Sequence, residues 1–119
     1  LNGSTASLVN FAEDLQTLNI ELTVSLLNHR NPHTGLRYAD DPALAFIELQ
    51  NEDNIFWGAI EETLKQTPTY RALLCQKFSD WLRRRYGSHE ALLKAWQGEG
   101  LSADEHLDRG SVYPRPNHG

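Results

Sequence analysis

Residues 43–50, ALAFIELQ, constrain the fold more than any other stretch, because they carry a two-residue alternation in a chain otherwise patterned for helices. Ala45, Ile47 and Leu49 fall on one face of an extended segment; Phe46, Glu48, Gln50 and Glu52 fall on the other. From Leu8 to Asn28, by contrast, Leu8, Phe11, Ala12, Leu15, Leu18, Leu22 and Leu26 recur at steps of three and four, the spacing of one helix face. An exposed antiparallel strand would alternate in the same way. Helices on both sides of 43–51 instead favour a βα arrangement, so the pattern predicts an α/β fold with one central strand over 43–51 and flanking helices.

The rest of the chain is punctuated by recognisable breakers. Residues 29–42 hold Pro32, Gly35 and Pro42 and read as a loop of turns. Asn54 is suited to cap a helix over 55–66. Thr67 or Thr69 and Pro68 suit the start of a longer one over 68–86, which Gly87 would end. Along that helix Tyr70, Leu73, Leu74, Phe78, Trp81 and Leu82 form an apolar stripe expected to be buried together or to seek a partner. Ser88 would cap a short helix over 89–97, with Trp96 as core. Residues 98–119, rich in Gly, Asp, Ser and Pro, predict loop, with the stretch from Tyr113 onward fraying.

Composition narrows the class of function. An apolar fraction of 39% suits a globular chain, and a net charge of -5 is unfavourable for nucleic acid, which needs a clustered basic surface. The one basic run, Arg83-Arg84-Arg85, complements the carbonyl end of its helix. No apolar run approaches the roughly 20 residues that a bilayer requires, so no membrane partner is expected. The five histidines show no ligand spacing, and neither a metal nor a cofactor is expected. Cys75 is the only cysteine, lies within a helix, and reads as inert packing; it leaves the localisation undetermined. The chain holds no Met, which suggests that it was trimmed or excised from something longer.

Chemistry concentrates in Gln50-Asn51-Glu52-Asp53-Asn54. A polar cluster directly after an apolar strand is where α/β proteins place ligands, and a glutamate desolvated there can hold a proton near neutral pH, as a general acid must. Asn-Glu after a strand is equally a helix-start signal, since Asn caps and Glu favours the first turn.

The string NPHTGLRYADDPALAFIELQNEDNIFW, residues 31–57, resembles the stretch through the fourth barrel strand of cellulase-like and β-galactosidase-like (β/α)8-barrel glycoside hydrolases. YRALLCQKFSDWLRRRYGSHEALLKAW, residues 70–96, is similar to the helical segment after that strand in such enzymes. The resemblance spans roughly residues 20–97 and implies an internal segment of a TIM barrel. It further implies that Glu52 is the general acid/base of a retaining hydrolase acting on a poly- or oligosaccharide, and that Asn51 contacts the sugar hydroxyl beside the reacting carbon.

Retaining hydrolysis needs a second carboxylate about 5 Å from the first. The resemblance implies that it sits near a seventh strand, outside these residues. Asp40, Asp41 and Asp53 are poor substitutes by position, so the chain alone is expected to be inactive and to require the remainder of the parent barrel as partner. Trp57 could stack on a sugar ring or belong to the core. The alternative to an enzyme fragment is a non-catalytic helical interaction module with an exposed apolar face.

Overall fold

The computed structural model describes Thr5 and residues 7–117. Asn2-Gly3-Ser4, which matches a glycosylation acceptor pattern, and His118 lie outside the described residues. The chain divides into two compact units, one of Thr5–Asn54 and one that holds residues 55–117. The described residues contain four α-helices, three 3-10 turns and no sheet.

In the first unit, a 3-10 turn over Leu8–Asn10 precedes α1, Glu13–Asn28. The expected start at Leu8 is wrong by a turn: Ser7 sits at φ 64 and Ala12 is extended, so the helical run begins only where Glu13 and Asp14 meet its positive end. Leu8, Phe11 and Ala12 are buried, whereas no residue of α1 is. Ile20 and Val24 fall off the Leu15–Leu18–Leu22–Leu26 face, so α1 is apolar on more than one side, and Leu18, Ile20, Leu22, Val24 and Leu26 are all exposed. After α1 the chain reverses: Arg30 and Arg37 form an isolated antiparallel bridge around Gly35, at φ 72, where a side chain would be strained. Arg37 donates from Nε and Nη2 to Asp40 at 2.7 and 2.9 Å, closing the 3-10 turn Tyr38–Asp40.

The central expectation fails here. Residues 43–51 form no strand, and the chain is not a segment of an α/β barrel. Asp41 accepts hydrogen bonds from the Ala43 and Leu44 amides, extending the preceding turn, and no neighbouring segment offers a ladder to the amides beyond. Alternation specifies which side chains would share a face; a strand also needs a paired backbone, which a single extended stretch cannot supply. Leu44, Phe46, Ile47 and Leu49 are exposed, Phe46 to 81%.

The second unit is helical and has a core. A turn at 55–58 leads into α2, Ala59–Gln66, so Asn54 is not its cap. Thr67 provides no side-chain cap to α3 either; its hydroxyl donates back to the Thr63 carbonyl at 2.7 Å. α3 runs Pro68–Tyr86, with Pro68 in its first turn and Gly87 at φ 82 beyond its last residue. Ser88 Oγ accepts the Ala91 amide at 3.1 Å and caps α4, His89–Ala95.

Leu82, Leu92, Leu107 and Val112 form the centre of this unit, packed by Phe78, Tyr86, Trp96 and Leu101. The buried face of α3 is rotated from the expected stripe: Leu74, Cys75, Ser79 and Leu82 are buried, while Trp81 is 48% exposed. Ser79 is drawn inward because its hydroxyl accepts the Val112 amide at 3.1 Å. The irregular segment after α4 is therefore a structural strap. It brings Leu107, Val112 and Tyr113 into the core, and Arg83 donates to the Leu107 carbonyl at 2.8 Å. Tyr113 is only 5% exposed, so fraying does not begin there.

Candidate active site

The polar cluster of residues 50–53 closes the first unit as a loop rather than a strand end. Glu52 is exposed and occupies the left-handed region at φ 43, a conformation that side chains with a Cβ adopt rarely. Asn51 is exposed beside it. The desolvated pocket that would tune a general acid is not formed by this loop: Glu52 meets solvent.

The residues on either side of this pair are tied down. Asp53 accepts the Ser7 amide through Oδ2 and the Ser7 hydroxyl through Oδ1, each at 2.6 Å. Gln50 Nε2 donates to Asn10 Oδ1 at 2.8 Å and to the Asp53 carbonyl at 3.1 Å, and Asn10 Nδ2 donates to the Ser7 carbonyl at 3.1 Å. The sequence carries no sign of this clamp. Ser7 and Asp53 are 46 positions apart, and neither residue type at its position signals the other.

Asn51 and Glu52 thus stand together, while Trp57 belongs to the other unit, where it is partly exposed. Of the acidic residues weighed as second carboxylates, Asp53 is engaged by Ser7, Asp40 by Arg37, and Asp41 by the Ala43 amide. None of these is set out as a nucleophile. Among the described residues no group of three or more His, Cys, Asp or Glu side chains could hold a metal ion. His89 and His106 do stack, ring centroids 3.7 Å apart, but each Nδ1 accepts a backbone amide, from Leu107 and Asp108 respectively. No described helix is long and apolar enough to cross a membrane.

Elsewhere the second unit holds one buried carboxylate. Glu105 Oε1 accepts the Tyr113 amide at 3.0 Å, and Oε2 accepts the Ser102 amide at 2.9 Å and Arg115 Nη2 at 2.6 Å. With its oxygens so occupied, Glu105 fastens the strap. Nearby, Cys75 is buried, and burial pushes its thiol above the ordinary range, away from the reactive thiolate.

Comparison with protein families, curated sequences and solved structures gave no match.

Proposed function

We propose that this chain contributes the general acid/base, Glu52, to a retaining glycoside hydrolase, with Asn51 binding the sugar beside the reacting carbon. The observation that carries the reading is the ordered string of residues 31–57, in which the Asn51-Glu52 pair follows an apolar stretch as it does in the enzymes the string resembles. The exposure of both side chains is compatible with substrate access. The resemblance implies a barrel strand ahead of Glu52, which residues 43–51 do not form, so the reading rests on the string of residues alone. It does require a second carboxylate, contributed by polypeptide other than these residues, together with cover that encloses Glu52 and the sugar.

A general acid protonates the leaving oxygen, so its removal matters most for leaving groups of high pKa. In the intact hydrolase, Glu52→Ala slows natural saccharides by roughly 10²-fold to 10⁴-fold. An activated aryl glycoside, needing no proton, still gives a burst of phenolate, and azide, which needs no base, speeds its turnover. The 119-residue chain alone turns over neither substrate. Equal loss on both substrates with no response to azide refutes the assignment.

One observation favours a second reading, a non-catalytic interaction module. All of the exposed large apolar residues except Phe56, Trp57 and Trp81 lie in Thr5–Asn54. A helix apolar on several sides is ordinarily buried, so α1 is suited to a partner's surface. On this reading Glu52→Gln changes no enzymatic activity of any assembly that contains the chain.

A further inference from the structure

We infer that Asp53 is a positioning residue for Glu52, an inference that rests on the acid/base reading above. Glu52 holds a left-handed conformation that its Cβ disfavours, and such conformations persist where surrounding contacts over-determine them. Here the contacts lie one residue on and two residues back. Asp53 is gripped by both donors of Ser7 at 2.6 Å, and Gln50 is gripped by Asn10. Ser7 and Asn10 bound one short 3-10 turn, further joined by Asn10 Nδ2 to the Ser7 carbonyl, so the two grips share one anchor.

The loop is therefore fastened on either side of the exposed Asn51-Glu52 pair, and the backbone that carries the acid/base is fixed from outside it. Ser7 is itself at φ 64 and buried, and its hydroxyl and amide both point to the one carboxylate. A carboxylate is suited to that task because it accepts both hydrogen bonds at once and with charge; an amide can keep the Ser7 amide through its oxygen only by turning the Ser7 hydroxyl into an acceptor, which leaves two neutral hydrogen bonds. Proton transfer to a leaving oxygen demands close placement, and a misplacement of about 1 Å can cost about 10²-fold.

The test combines kinetics of the intact hydrolase with exchange measurements on the 119-residue chain. Asp53→Ala lowers kcat on natural saccharides by about 10-fold to 10²-fold while leaving KM and the burst with an activated aryl glycoside nearly unchanged, because release of the activated phenolate needs no proton from Glu52. Asp53→Asn, which keeps one acceptor, falls between. Ser7→Ala removes the hydroxyl's hydrogen bond to Asp53 and keeps the amide's, without touching the loop, and the Ser7→Ala/Asp53→Ala double variant is no slower than Asp53→Ala alone. In the chain itself, the Ser7 amide is protected from hydrogen exchange and loses that protection in Asp53→Ala. A burst with the activated substrate slowed as much as turnover of natural saccharides, or full additivity of the two substitutions, overturns the inference. A Glu52→Ala enzyme without burst or azide response overturns the acid/base reading instead, so the two failures are distinct.

Discussion

Removing the Glu105 carboxylate tests whether the strap after α4 is integral to the second unit. The side chain is 6% exposed, and it receives two backbone amides and one guanidinium. These losses are unequal. The Tyr113 amide is buried and, in Glu105→Ala, has neither carboxylate nor water, which costs about 1–3 kcal/mol. Ser102 is exposed and recovers a water partner, leaving a net loss of about 1 kcal/mol. Arg115 is nearly half exposed, so its pairing adds about 0–1 kcal/mol. Glu105→Ala thus destabilises by about 3 kcal/mol, a fall in Tm on the order of 10–20 °C for a unit of this size. Glu105→Gln keeps an acceptor for Tyr113 but turns an NH₂ toward Ser102 and Arg115, both donors, and costs about half as much. Urea unfolding followed by tryptophan fluorescence reads this, because Trp96 packs on the core that the strap completes. A change under about 0.5 kcal/mol for Ala, the range of ordinary surface substitutions, or Gln as damaging as Ala, would refute the reasoning.

Two further outcomes concern the titrating groups. Cys75, raised by burial, resists a disulfide reagent at pH 8 in the folded chain and reacts fully in urea; rapid stoichiometric labelling of the folded chain would contradict its packing. Hydrogen bonds from Arg37 hold the Asp40 carboxyl below its ordinary range. Since the folded value is the lower one, the stabilisation is complete above the unfolded value of about 3.9 and is lost as pH falls through the folded one. Carbon NMR titration of Asp40 shows the depressed midpoint, and Arg37→Gln returns it to the ordinary range; an unchanged midpoint in the variant would count against the pair.

Local signals were legible wherever a boundary depends on one residue's chemistry. Pro68 lacks an amide that the first turn does not need, Gly87 accepts a positive φ, and Ser88 offers an oxygen to Ala91, so the limits of α3 and the start of α4 can be read from residue types. Partners distant in sequence were not legible. Alternation over 43–51 could not reveal that no second strand pairs with it among the described residues. The stripe on α3 was misplaced because Ser79 and Cys75 are inside and Trp81 is out, an outcome decided by Val112 and its strap. At the candidate site, residue types singled out Asn51 and Glu52, but not the Ser7–Asp53 clamp, whose ends meet only through the fold.

The uneven distribution of apolar surface bears on both functional readings. In the second unit Leu82, Leu92 and Leu107 are wholly buried, each with a hydrophobic gain of about 1.5–3 kcal/mol, and Phe56, Trp57 and Trp81 are its exposed large apolar residues among those described. In the first unit the opposite holds: α1 and residues 44–49 display leucine, isoleucine, valine and phenylalanine to solvent. The unit that carries Glu52 is therefore the one whose sequence asks to be covered. An interaction module could have these residues covered, Asn51 and Glu52 included, with no chemical cost. A hydrolase could not, since its substrate must reach Glu52 while Phe46 and Leu49, only a few residues away, are withdrawn from water. The enzyme reading thus makes the stricter demand: cover that stops short of the loop fastened by Ser7 and Asp53, leaving a sugar-sized opening above an acid that the same cover desolvates.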